Sequence, residues 1–233
     1  MSKQVIEQIT GRIVDYNEKT GELTIKAVYP DFLTLTRREY DKVSLILHDS
    51  RPLSGKQRRS CYAMIGEISD WSGMEKEEIK EYTKLSFWTT ELWQTADTLF
   101  SLSDAPMSVV AAFQSWLARF IVSNDVPTKR PMLDYVDDVP NYIYACLCKK
   151  KCCICGKRAD LHHSDAIGAG RDRAEIVHEG IPALPLCREH HTECHKIGQK
   201  TFEERYHIIH GIELDKHLCK VYGLKTKGVN NGF

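Results

Sequence analysis

The strongest constraint on this chain is a pair of short metal-ligand turns. Cys152 and Cys155 make a C-x2-C pair, and Cys187 and His190 make a C-x2-H pair about thirty residues later. Two such turns close a tetrahedral zinc site when the chain folds back on itself, and these four positions fill it with protein ligands. Cys153 is an alternative to Cys152, but its spacing to Cys155 is one residue short. Cys146 and Cys148 lie nearby and are not expected to be ligands. The chain has nine cysteines. The start, MSKQVIEQITGRIVDYNE, lacks the apolar core of a signal peptide. No apolar run reaches the ~20 residues of a membrane span. The chain therefore reads as cytoplasmic, where thiols stay reduced and clustered cysteines favour metal over disulfides.

More histidines crowd the same region. His191 and His195 stand four apart, so on a helix they share a face and can reach one metal. His162 and His163 are adjacent, so on a strand they point to opposite sides. One can bind metal while the other acts as a base. Asp160, three residues before His163, is a candidate to orient it. The following IGAGRDR segment supplies Arg171 and Arg173 as candidate phosphate contacts. A second, purely structural zinc site is the alternative for these histidines.

The stretch from Cys152 to His195 resembles the HNH endonucleases of the ββα-metal superfamily in their zinc-supported form: C-x2-C, a His-His pair, then C-x2-[CH]-H-x3-H. The resemblance covers roughly residues 150–200. It implies that His163 is the general base on water. It also implies that His162, His191 and His195 hold one divalent ion, Mg2+ or Mn2+ or another, on the scissile phosphate, with Zn2+ at the structural site. A neutral imidazole suits the base role near neutral pH. Two departures stand out. The second zinc pair ends in His190 rather than cysteine. The family's middle asparagine is replaced by Pro182, so either His178 serves there or the loop is held otherwise.

The rest of the chain reads as a separate α+β part. EQITGRIVDYNEKTGELTIKAVY carries two strand-forming runs around a turn at Asn17 to Gly21, and Val43 to Leu47 is a further strand candidate. Cys61, Met64, Ile65 and Ile68 mark one helix face; Ile79, Tyr82 and Leu85 mark a second. Phe113, Trp116, Leu117, Phe120 and Ile121 mark a third, suited to a core or an oligomer interface. NDVPTKRPMLDYVDDVP has three prolines and no period, which predicts a linker. The expected organisation is an N-terminal domain over residues 1–130, a linker over 131–140 and a zinc-stabilised domain over 141–233.

Charge follows that division. The protein is neutral overall, yet from Asn141 onward 15 Lys+Arg face 11 Asp+Glu, 15 − 11 = +4, and the part before it carries −4. A basic, histidine-rich C-terminal part suits a phosphate backbone. Lys56, Arg58 and Arg59 form a short basic segment at a helix start, where anions are favoured.

RPLSGKQRRSCYAMIGEIS and MSVVAAFQSWLARFIVSNDVP resemble the lambdoid phage Orf (NinB) recombination-mediator family. The matching residues are Arg51, Leu53, Gln57, Arg59, Ala63 and Gly66, then Met107, Val109, Phe113 and Val126. That resemblance implies an α+β homodimer that binds single-stranded or branched DNA and the host single-strand-binding protein, in a bacterial host cell. Joined to the HNH-like part, it predicts a phage recombination or replication protein that hydrolyses DNA. The rival expectation is a non-catalytic, zinc-containing DNA-binding recombination mediator.

Overall fold

The computed structural model describes residues 11–29, 54–92, 99–165 and 176–226. The expected strand Val43 to Leu47 lies outside them. The chain divides into two compact units, residues 1–47 and 48–233. In the first, β1 (Gly11–Tyr16) pairs antiparallel with β2 (Leu23–Ala27). The connection falls at the expected turn. Asn17 Oδ1 accepts from Lys19 N at 3.0 Å and Thr20 N at 3.3 Å, and Gly21 takes the positive φ of 72° that closes the turn.

Among the described residues the second unit begins with α1 (Gly55–Ser72). The Ser54 hydroxyl accepts from Gln57 N and caps it. Cys61, Met64, Ile65 and Ile68 are fully buried, which is the expected face. In α2 (Lys76–Phe87) the buried stripe is Ile79, Thr83 and Phe87. The sequence reading of Ile79, Tyr82 and Leu85 holds only for Ile79; Tyr82 and Leu85 are half exposed. Thr83 can take the core position because its hydroxyl donates to the Ile79 carbonyl at 2.7 Å, leaving no unsatisfied polar atom.

Helix α3 (Met107–Ser123) buries Val110, Phe113, Leu117, Ala118 and Ile121. Phe113 packs between Phe87 and Phe100, with ring centroids 5.3 and 5.1 Å away, and Trp116 stacks on Phe120 at 5.5 Å. Of the expected aromatic face, Phe113, Leu117 and Ile121 fill this unit's own core, while Trp116 and Phe120 pack half-buried against it.

Residues 131–140 belong to the same core. They form a 3-10 turn (Met132–Asp134) and the start of α4 (Val139–Lys149). Met132, Tyr135 and Val136 are buried. The Tyr135 hydroxyl donates to Glu67 at 2.7 Å, and Gln114 donates to the Tyr135 carbonyl at 2.6 Å. The prolines that suggest a linker sit at element starts: Pro131 precedes the 3-10 turn and Pro140 lies in the first turn of α4. Helix α4 packs on α3 and on the sheet that follows.

That sheet has the order β3–β4–β5, all antiparallel: β3 (Asp160–His163), β4 (Pro182–Leu186) and β5 (Ile212–Glu213). Helix α5 (Arg188–Ile197) leaves the end of β4, α6 (Gln199–Tyr206) follows directly, and α7 (Lys216–Tyr222) packs back on α4. No helix among the described residues is long and apolar enough to cross a membrane.

Gly211 ties β5 to the strands that carry the histidines. Its φ is 132°, and an added Cβ would lie 2.7 Å from Ser164 Oγ and 2.9 Å from Ala183 N. Gly211→Ala is expected to cost about 3 kcal/mol through backbone strain and overpacking together. A thermal melt checks this; an unchanged midpoint would mean that the strand end repacks freely.

Candidate metal centre

The first ligand turn is a tight knuckle. Cys152 N donates to the Lys157 carbonyl at 2.7 Å and Gly156 N to the Cys152 carbonyl at 2.8 Å. Gly156 supplies the positive φ of 71° that the turn needs. The second turn is the start of α5, where Cys187 is the N-cap. The ligand atoms of Cys152, Cys155, Cys187 and His190 all lie within 4.8 Å of one another. Cys155 Sγ is 3.6 Å from Cys187 Sγ, and His190 Nδ1 is 3.2 Å from Cys187 Sγ and 3.5 Å from Cys152 Sγ. Cys153 is instead turned into the core, fully buried. A Lys157–Glu189 ion pair at 3.0 Å joins the two turns at the surface.

Metal binding at this cluster must release thiol protons. Burial pushes the Cys152 thiol up to about 12 and the Cys155 thiol up as well. Cys187 goes the other way. Burial raises it, but the His190 and Glu189 N–H groups of α5 and the neighbouring thiols together bring it below its ordinary value. Burial also lowers His190, keeping it neutral and able to coordinate. Three thiols and an imidazole on two knuckles are the donor set of a closed structural zinc site.

The second cluster is His162, His191 and His195, whose ligand atoms also lie within 4.8 Å of one another. The ring centroids are 4.6 Å (162–191), 5.2 Å (162–195) and 4.9 Å (191–195) apart. Strand β3 delivers His162 and one face of α5 delivers the other two. Burial lowers the pKa of both His162 and His191, and the neighbouring imidazoles push the same way. Both shifts favour the neutral form that a ligand needs. His191 Nδ1 is buried with no hydrogen-bond partner, an orphan that a metal ion would satisfy. Three protein ligands, one of them exposed (His195), leave positions open for water and substrate, as a catalytic rather than a structural site requires.

His163 lies on the other side of β3, by alternation along the strand. Its Nε2 is 3.0 Å from Nδ1 of His178, which is buried. His178 is anchored in turn: its N–H donates to the Lys225 carbonyl at 3.0 Å. Pro182, where the HNH pattern has asparagine, opens β4 with no side-chain donor. Asp160 falls on the His162 side of the strand, and its charge acts on His191.

The described basic candidates Lys56, Arg58 and Arg59 share one helical turn. Gly55–Arg59 is the first turn of α1, at the expected helix start. Lys56 pairs with Asp137 at 3.0 Å, Arg58 donates to the Ser103 carbonyl at 3.1 Å, and Arg59 is exposed. Arg171 and Arg173 lie outside the described residues.

Two antiparallel strands and a helix thus bring a Cys3His cluster and a three-histidine cluster together in one small ββα unit with a mixed α and β surround. The chain belongs to the family described as "Putative HNHc nuclease", which matches residues 30–225. The matched stretch takes in α1–α3 as well as the metal-bearing unit. No curated protein and no solved structure matches the chain.

Proposed function

We propose that this protein hydrolyses DNA phosphodiester bonds, with His163 as the base and with a divalent metal held by His162, His191 and His195. The observation that carries the reading is the division of labour on β3. One histidine joins two others in a metal-sized cluster, while its neighbour faces away and is held by His178 at 3.0 Å. The bound ion would offset the charge growing on the phosphate and stabilise the leaving oxygen.

The chain's own residues account for the proton. His163 takes it from a water molecule as the water oxygen attacks phosphorus, and the bond from phosphorus to the departing sugar oxygen breaks. His178 fixes the orientation of the His163 ring, the task that the missing asparagine would otherwise share. With Zn2+ bound, the Cys3His cluster would hold β3 and the start of α5 in register so that the two ligand sets meet.

For the substrate we propose single-stranded or branched DNA, from the Orf-like motifs of α1 and α3. Lys56, Arg58 and Arg59, exposed at the start of α1, and Arg171 and Arg173 are the proposed phosphate contacts. A role in phage recombination, contact with the host single-strand-binding protein and a homodimer belong to the same reading. Residues 1–130 and 141–233 would be its DNA-binding and cleaving parts.

His195→Ala is the direct test of the metal role, because His195 is exposed and its loss leaves the core packing intact. The variant is expected to keep its zinc, lose binding of a second divalent ion and lose cleavage. Wild-type cleavage and metal uptake by His195→Ala would show that the cluster holds no catalytic ion.

A further inference from the structure

Helix α5 ends at Gly198, and Gln199 opens α6 directly against His162. Gln199 Oε1 lies 2.9 Å from His162 Nε2. It also accepts from the buried Cys194 thiol at 3.1 Å. The Gln199 Nε2 amide group donates to Glu203 Oε1 at 2.7 Å. A carboxylate accepts only, so Glu203 decides which way the amide faces: nitrogen toward Glu203, oxygen toward His162. An amide oxygen cannot donate. The hydrogen in the contact with His162 therefore sits on His162 Nε2, and the lone pair of that ring sits on Nδ1.

We propose that Gln199, oriented by Glu203, is a positioning residue that holds His162 as the Nε2–H tautomer and makes Nδ1 its metal-binding atom. The inference rests on the reading of His162, His191 and His195 as a metal site, and it names the residues outside the ligand set that prepare one of the three ligands. Glu203 is itself fixed from the far side. His210 Nδ1 lies 2.8 Å from Glu203 Oε1, and His210 Nε2 lies 2.9 Å from Asp165 Oδ1. The hydrogen-bond chain from His162 thus runs through Gln199 and Glu203 to the surface, with each direction set by an acceptor-only carboxylate. A ligand ring locked in one tautomer and orientation gains basicity and loses less entropy on coordination, and removing such a partner typically weakens metal binding about 10–100-fold.

The test uses the full chain with its zinc in place, titrated calorimetrically with Ni2+ alone. Gln199→Leu should bind Ni2+ about 10–100-fold more weakly than wild type, with zinc content unchanged. Gln199→Asn keeps the polarity but shortens the reach; it should show the same loss and guards against misfolding of the leucine variant. The exchange variant Gln199→Glu with Glu203→Gln restores an acceptor at 199 and a donor at 203, and it should recover Ni2+ affinity. In the nickel-free protein, long-range nitrogen–proton spectra should show His162 protonated at Nε2. Wild-type affinity in Gln199→Asn, or a His162 ring protonated at Nδ1, would overturn the proposal. Failure of the wild type to take up any Ni2+ beyond its zinc would instead defeat the metal-site reading, and the tautomer measurement would still decide the role of Gln199.

Discussion

His163→Ala is expected to slow DNA cleavage by about 10²–10⁴-fold, the usual contribution of a positioned general base. Zinc content, uptake of a second divalent ion and the melting midpoint should all stay close to wild type. The reason is geometric. His163 leaves β3 on the side opposite His162, so its removal takes no ligand from the cluster of His162, His191 and His195. The residue is half-buried, and its Nε2 meets a side chain, His178, rather than the backbone of the sheet. Single-turnover cleavage with saturating metal is the measurement to make. A His163→Ala rate equal to wild type would remove His163 as the base.

Cys155→Ser should have the largest effect on stability. Structural zinc in small modules carries apparent binding energies of about 10–16 kcal/mol, and that energy is folding energy. Whole domains are stable by only about 5–15 kcal/mol. Losing one thiolate is expected to cost on the order of 5 kcal/mol and to lower the melting midpoint by about 10–20 °C for a unit of this size. Cys155 is the informative ligand to change because it is the exposed one of the four. The substitution removes coordination with almost no loss of packing. Cys153→Ser, at a buried non-ligand position, should leave zinc content unchanged. Helices α1–α3 share a core with α4, so the loss of zinc should be felt beyond the knuckles. Elemental analysis and a melt with and without chelator check this. A zinc-free wild-type protein that melts at the same temperature as Cys155→Ser would show that these thiols hold no metal.

The two candidate metal clusters are legible in the sequence because the spacing of such residues is enforced by short-range geometry. A knuckle needs C-x2-C, and a helix face needs H-x3-H. The same holds for the turn at Asn17 and for the α1 face, where local chemistry and periodicity agree. The misread features depend on partners distant in sequence or on atoms that pattern matching ignores. Thr83 replaced Tyr82 and Leu85 in the core because a hydroxyl satisfied within its own helix behaves as apolar surface. Pro131 and Pro140 look like linker residues, yet one caps an element and the other lies in a helix's first turn, and the contacts of Glu67 and Gln114 with Tyr135 lie far away in sequence. Asp160 is three residues from His163 in sequence, but strand alternation puts it with His162. Gln199 carries no metal-site signal in sequence, since it is no ligand and lies on the next helix. His178, a lone histidine in a loop, is recognisable only by its 3.0 Å contact with His163.

The most direct test of a metal-dependent nuclease is cleavage by the zinc-loaded wild-type chain of single-stranded, branched and duplex DNA, with Mg2+, Mn2+ or no added ion. The uptake of that ion is measured on the same preparation. The expected result is one further ion per chain beyond zinc and cleavage that requires it. Products should form faster on single-stranded or branched DNA than on duplex, and EDTA should stop the reaction. Zinc as the sole bound metal, with no cleavage of any of the three substrates under any ion, would contradict the nuclease reading and leave a zinc-containing DNA-binding protein.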